Sequence, residues 1–172
     1  STIVPIIEGE ALIARSIADF EEVIALLAYR CTVTVYVSRG EARWVSPQRT
    51  VDMAKGDLLI HNLENSRCQL VAENDFMMFA ICVSSAFTRQ FAQSIRISWN
   101  IRQALVSNAL FHLSSEDRRS VNENLEILLL KSQCPDYPQR TRILKHLLYI
   151  LSVEILLHLS RYIQNSNNEV PN

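Results

Sequence analysis

Glycine is scarce in this chain, with only three residues in 172. Because a phosphate-binding loop needs several glycines close together, and these three are scattered, such a loop is excluded. The sequence also has no G-x-S-x-G motif, and no cysteine has neighbours that would lower the pKa of its thiol. We therefore expect no catalytic residues and no enzyme activity.

Potential metal ligands are few and dispersed. The four cysteines, Cys31, Cys68, Cys82 and Cys134, form no C-x-x-C pair, which is typical of free thiols in a reducing compartment. Of the four histidines, only His61 lies in a strand-like region. A metal site in a β-barrel needs about three converging ligands. The sequence therefore predicts neither a metal nor another cofactor.

The charges are balanced, with 17 Lys and Arg against 18 Asp and Glu, so the formal net charge is -1. This balance argues against DNA binding by the chain itself, since a nucleic-acid backbone attracts clustered cations. Only three of the cations are lysines, which leaves a local arginine-lined anion site open. The most apolar stretch, Leu147–Leu159, is short for a membrane span and contains Glu154 and His158. We expect a cytoplasmic protein without a membrane partner.

The first half of the chain has the alternating pattern of β-strands. Alternation begins at Cys31 and continues in short segments to Val83. Turns are expected at 38–41 and 54–57, each marked by a glycine, and Gly56 can adopt positive φ in the second. Short strands separated by turns about every eight to twelve residues predict an antiparallel sandwich or small barrel.

The second half has a helical pattern after Ser84. Ser85 is the expected N-cap of a short helix, and 99–106 is predicted as another. Ser114 is a strong N-cap candidate for a helix ending near Gln133. The last helix is predicted over 139–164, followed by a tail over 165–172 with the composition of a linker.

The predicted last helix is apolar over more than one face, so it must bury a second face. This indicates either the central helix of a bundle or a helix that pairs with a second copy of the chain. For the second case, the predicted dimer seam runs along residues at near-heptad spacing: Leu144, Leu148, Leu151, Ile155 and Tyr162.

The best candidates for contact with a small molecule lie on the predicted strands or near their ends. Aromatic and cationic side chains of this kind are suited to a cavity lining. They are Tyr36, Trp44, His61, Arg30 and Arg43.

Three segments, in this order and spacing, resemble the N-terminal sensing and dimerisation domain of AraC-family transcriptional regulators. They are TVTVYVSRGEA at 32–42, AKGDLLIHN at 54–62 and FMMFAICVS at 76–84. The helical half fits as well, since LSSED at 113–117 resembles the "L-S-x-E-E" opening of that family's penultimate helix. The likeness covers about 29–164. It implies an α+β fold, a cupin-like antiparallel β-barrel or sandwich followed by helices that include a long dimerisation helix.

The resemblance also implies a domain division and a function. We expect a cupin-like sensing region over 1–84, a helical dimerisation region over 85–164 and the linker-like tail. In this reading the barrel holds a small-molecule effector without a metal, and DNA is bound only by a C-terminal half absent from this chain. Alternatives are a stand-alone cupin-fold protein, either an enzyme or a pure protein-interaction module.

Overall fold

The computed structural model describes residues 3–106 and 109–168, and in these ranges nine strands and five helices form. The strands are β1 (Val4–Ile7), β2 (Ala11–Ala14), β3 (Cys31–Arg39), β4 (Glu41–Val45), β5 (Thr50–Ala54), β6 (Asp57–Asn62), β7 (Gln69–Ala72), β8 (Met77–Ser84) and β9 (Leu110–His112). The helices are α1 (Ile17–Leu26), α2 (Ser85–Ser94), α3 (Trp99–Val106), α4 (Ser115–Gln133) and α5 (Arg140–Asn168).

The strands form two antiparallel sheets. Sheet A has the order β1-β2-β8-β3-β6-β9, and sheet B has the order β5-β4-β7. β3 lies at the centre of sheet A, with Val35 opposite both Leu59 and Ala80. The predicted α+β fold, with a cupin-like antiparallel sandwich and a long last helix, is confirmed.

Side-chain alternation along β3 separates two hydrophobic cores. Val33 and Val35 point between the two sheets and belong to the barrel core. Tyr36 belongs to a second core on the opposite face of sheet A, where α4 and α5 cover the sheet. β6 divides in the same way, since His61 stacks on a barrel residue while Ile60 packs under the helices. The period of two in a strand produces both cores from one sheet.

The predicted helix starts agree with the structure except for one cap. α3 spans the predicted residues 99–106, and Ser114 caps α4, because its Oγ accepts a hydrogen bond of 3.1 Å from the Asp117 amide. The cap of α2 is Ser84 rather than the predicted Ser85. Ser84 has extended ψ, and its Oγ accepts a hydrogen bond from the Phe87 amide, whereas Ser85 is already helical.

α5 is longer than predicted. It continues to Asn168, so residues 165–168 of the expected linker are helical, while 169–172 lie outside the described residues. Each residue added to an existing helix gains a backbone hydrogen bond, which allows weak helix formers such as Ser and Asn to extend it. Composition alone therefore placed the helix end too early.

By length and composition, the segment Arg140–Ser166 of α5 is long and apolar enough to cross a membrane. The most apolar stretch in the sequence, Leu147–Leu159, is too short on its own. One face of this helix nevertheless packs into the core under sheet A, through Leu148 and Leu151 among others. A core helix of this kind passes the same test, so α5 is weak evidence for a membrane span.

Candidate functional site

Trp44 and His61 meet inside the barrel. Trp44 lies on β4 of sheet B and His61 on β6 of sheet A, and their ring centroids are 5.0 Å apart. Both are almost fully buried, with 1% and 2% of their surface exposed. Trp44 also contacts Phe20 of α1, with ring centroids 5.9 Å apart. Two of the predicted pocket residues are thus brought together across the barrel.

One nitrogen of each ring is buried and unsatisfied. Neither Nε1 of Trp44 nor Nδ1 of His61 has a hydrogen-bond partner in the described part of the chain. Burial, and to a smaller extent the positive charge of Arg49, lowers the pKa of His61 from 6.5 to about 4. The imidazole is therefore neutral at pH 7. Its ring packs on Trp44 of the apolar barrel core, in which Val33 and Leu63 are fully buried.

Tyr36 faces the other way. It is buried under α4, where it shares a hydrogen bond with the Asn122 side chain and lies near Arg118. Burial raises the pKa of the phenol, although Asn122 and Arg118 act in the opposite direction. Tyr36 therefore connects sheet A to α4 and does not line the barrel interior.

The two predicted arginines lie at the surface, each with a local partner. Arg30 Nε donates to Asn65 Oδ1 at 3.0 Å, and Arg43 Nε donates to Asp52 Oδ1 at 3.1 Å. The five candidate pocket residues are therefore not brought together in one place, since only Trp44 and His61 meet. Alternation sends Tyr36 to the outer face of sheet A. Arg43 lies on the exposed face of β4, the central strand of sheet B, and Arg30 directly precedes β3.

Burial makes three of the four cysteine thiols poor nucleophiles. All four are free thiols, and Cys31 and Cys82 are buried. Burial raises the pKa of the Cys31 and Cys68 thiols to about 12, and that of Cys82 well above its usual value. Within residues 3–106 and 109–168, no three His, Cys, Asp or Glu side chains are grouped so that they could hold a metal ion.

The predicted dimer seam is buried inside the chain itself. Leu144, Leu148, Leu151 and Ile155 are at most 6% exposed and pack in the core between α4, α5 and sheet A. Tyr162 is half exposed, and its ring lies 5.9 Å from that of Phe111. The prediction for the four aliphatic residues is corrected, because a second copy cannot reach them without opening this core.

A different face of α5 is apolar and exposed. It carries Ile143, Ile150, Val153 and Leu157, which we call the outer stripe, and each is 38–55% exposed. Ile143, Ile150 and Leu157 are spaced by seven residues, so they lie on one side of the helix. The sequence indicated a second apolar face on this helix but placed the dimer seam on the covered one, because periodicity alone does not say which side is covered.

A narrow apolar cavity lies between the outer face of sheet A and the helices α2, α3 and α5. We call it the slot; its volume is about 160 Å³. Its lining is mostly aliphatic and aromatic, and includes Ile81, Phe87, Phe91, Ile155 and Leu156. None of the five residues predicted from the sequence lines it.

The slot opens towards a wider polar depression of about 610 Å³, which we call the mouth. Thr32 and Thr88 line both, and their hydroxyls are 3.1 Å apart. Arg89 of α2 and Arg102 of α3 line the mouth, and neither side chain has a hydrogen bond or ion pair with any described residue. Two arginines 13 positions apart in sequence are thus brought to one opening.

Sequence comparisons identify no relatives, whereas comparison of structures does. No family model matches the chain, and no curated protein matches it significantly. The apo form of the K231A variant of ToxT from Vibrio cholerae is 11% identical with a TM-score of 0.51, covering 80% of this chain and 49% of its own. The AraC-like transcriptional activator CuxR is 10% identical with a TM-score of 0.53, covering 88% and 52%.

A cupin barrel protein from Salinispora arenicola is similar over a smaller part, 39% of this chain and 57% of its own, with 23% identity and a TM-score of 0.31. The chain spans about half the length of the two regulators it matches. At these identities the likeness establishes the fold. The structural neighbours of this chain are AraC-family regulators, and the resemblance that its sequence indicates is confirmed at the level of the fold.

Proposed function

We propose that this chain is the effector-sensing and dimerisation module of a cytoplasmic transcriptional regulator, with DNA bound by a segment outside it. The observation that carries the proposal is the position of α5. Its inner face lines the slot through Leu151, Ile155 and Leu156, while its outer stripe is exposed. One face of α5 therefore lines a cavity of ligand size, and another face of the same helix offers an apolar surface suited to a second copy.

Dimerisation through the outer stripe is supported by its chemistry. Ile143, Ile150 and Leu157 repeat every seven residues, the spacing at which two helices can pack side by side along their length. A groove lined by Ile97 of the α2–α3 connection and Val153 of α5 continues the apolar surface beside it. Exposed contiguous apolar surface of this kind marks interaction sites in soluble proteins.

Regulation then follows from linkage. A ligand in the slot contacts α5 from the inside, and so it can favour one placement of α5, and of the partner α5, over another. The shift is limited to the difference in the ligand's affinity for the two arrangements. DNA affinity of an attached half would change by the same coupling free energy.

A pure protein-interaction module remains the second candidate, because the outer stripe alone supports it. In that case the stripe would hold a partner and the slot would have no ligand. For a barrel enzyme, by contrast, the space between the sheets is occupied by the packed barrel core around Trp44 and His61.

The test uses two matched double variants of α5. Ile150→Asp with Leu157→Asp should give a folded monomer, because charges on the outer stripe disrupt only an interface. Leu151→Asp with Ile155→Asp should lose the native fold, because both residues are buried. Light scattering coupled to gel filtration, with circular dichroism as the check of folding, separates the two results.

A parent chain that is monomeric at micromolar concentration would contradict dimerisation. So would an outer-stripe variant that keeps the dimer mass, since the seam would then lie elsewhere.

A further inference from the structure

We infer that the slot and the mouth together form a binding site for a small apolar carboxylate, with its ring or short chain in the slot and its carboxylate at Arg89 and Arg102. What binding would do in the cell rests on the proposed sensing function. The binding claim itself rests on the chemistry of the two adjoining spaces.

The slot selects the apolar part of the ligand. At about 160 Å³ it is close to the roughly 150 Å³ apolar cavity that binds benzene in an engineered protein. Phe87 and Phe91 contribute aromatic walls on the side of α2, and Ile81 contributes an aliphatic one from sheet A. A single phenyl ring or a chain of a few methylenes therefore fits, whereas a sugar would leave its hydroxyls without partners there.

Two threonines mark the polar end of the slot, and a third lines the slot itself. Thr32 and Thr88 lie where the slot meets the mouth, and Thr88 can also donate to the Ser84 carbonyl at 3.0 Å. Thr34 lines the slot, and its hydroxyl has no hydrogen-bond partner among the residues described. A ligand with one polar group near its apolar body would therefore find a donor or acceptor at this boundary.

The side chains of the mouth favour a negatively charged group on the ligand. Arg89 and Arg102 offer guanidinium groups, whose planar donors match the two oxygens of a carboxylate. The one acidic side chain of the mouth, Glu64, is near Asn62, whose amide donates to Glu64 Oε1 at 3.3 Å. His61 also borders the mouth. Two arginines against one glutamate favour an anion over a cation.

The site differs from the predicted one in position. The sequence predicts an effector inside the barrel, whereas the slot lies on the opposite face of sheet A, under the helices. Through Leu151 and Ser152 of α5 it reaches the helix that carries the outer stripe. Binding there would be sensed directly by the proposed dimerisation helix.

The experiment is isothermal titration of the full 172-residue chain at pH 7 with 3-phenylpropionate and with its neutral analogue, 3-phenylpropionamide. The two probes share the apolar body and differ in charge. We expect the carboxylate to bind about tenfold to hundredfold more tightly than the amide, which is the range for hydrogen bonds to a charged group.

The double variant Arg89→Gln with Arg102→Gln should reduce carboxylate affinity to that of the amide and leave amide affinity unchanged. The matched control is Arg96→Gln, an exposed arginine outside the mouth, which should keep the parent preference. Both changes are at exposed positions, so the chain should fold. Ala92 lines both the slot and the mouth, so Ala92→Leu should narrow the passage between them and weaken the binding of both probes.

Equal affinities of the two probes for the parent chain, or no binding of the carboxylate at millimolar concentration, would overturn the inference. So would loss of the preference in Arg96→Gln. Light scattering of the same samples separates the two proposals: a dimer that does not bind the carboxylate rejects the site alone, whereas a monomer that binds it rejects the dimerisation module alone.

Discussion

Trp44 and His61 stack across the two sheets of the barrel, with ring centroids 5.0 Å apart and an interplanar angle of 54°. Each ring carries a buried nitrogen without a hydrogen-bond partner among the described residues. A buried polar atom of this kind costs stability relative to a satisfied one, so the pair must be held by the apolar packing around it.

His61 should make the fold sensitive to acid. Its pKa is about 4 in the folded chain against 6.5 when unfolded, so between these values the unfolded state binds more protons. Stability is therefore retained above pH 6.5 and falls as the pH decreases towards 4. When the pH is lowered from 7 to 5, the free energy of unfolding should fall in both chains. We expect the fall in His61→Phe to be about 2 kcal/mol smaller than the fall in the parent.

Urea denaturation at the two pH values measures this difference. His146→Gln, at an exposed position on α5, is the control and should follow the parent. If His61→Phe and the parent lose the same free energy on acidification, the buried imidazole does not control the response.

The two tryptophans should differ sharply in their contribution to stability. Trp44 is 1% exposed and packs on Phe20, whereas Trp99 of α3 is 69% exposed. Trp44→Ala should cost about 3–5 kcal/mol through lost burial and a cavity, while Trp99→Ala should change stability by less than about 0.5 kcal/mol. Chemical denaturation followed by circular dichroism tests this, and similar midpoints for both variants would contradict the barrel packing.

His158 should stabilise the contact between α4 and α5. Its side chain is 4% exposed, with Nε2 at 3.1 Å from Glu154 Oε1 and Nδ1 at 3.4 Å from Asp117 Oδ2. Asn124 also donates to Glu154, and Arg161 lies near Asp117. Replacing the imidazole by an isobutyl group in His158→Leu removes a buried ring that contacts both carboxylates and its hydrogen bond with Glu154, at a cost of about 1–3 kcal/mol.

The matched substitution is His146→Leu on the same helix. That histidine is exposed, and its Nδ1 is 2.7 Å from the Arg142 carbonyl one turn earlier. We expect a change within about 0.5 kcal/mol for this variant, measured by urea denaturation at pH 7. Equal losses for the two histidines would mean that the buried cluster adds nothing.

Local features of the fold were predictable from the sequence. Gly56 has φ of 89°, as its predicted turn requires, and Gly40, which marks the other predicted turn, has φ of 78°. The start of α4 at Ser114 and the bounds of α3 follow from capping and short-range periodicity. β9 was missed, because three residues are too few to show a period, and its strand exists through pairing with the edge of β6. The division into a sensing region and a helical region at 84/85 stays a prediction. β9 follows this boundary in the chain but pairs with β6 of sheet A.

From Cys31 onwards the sequence by itself determined the strands and helices and their order, apart from β9, because these depend on neighbours within a few residues. It did not indicate β1, β2 or α1. Only the tertiary structure decided which face of α5 is covered, and hence that Leu151 is core while Ile150 is exposed. It also decided that Arg89 and Arg102 meet at one opening and that Tyr36 and Trp44 lie on opposite sides of sheet A. The physical reason is that these juxtapositions arise when layers pack to bury apolar surface, and that packing joins residues which share no local pattern.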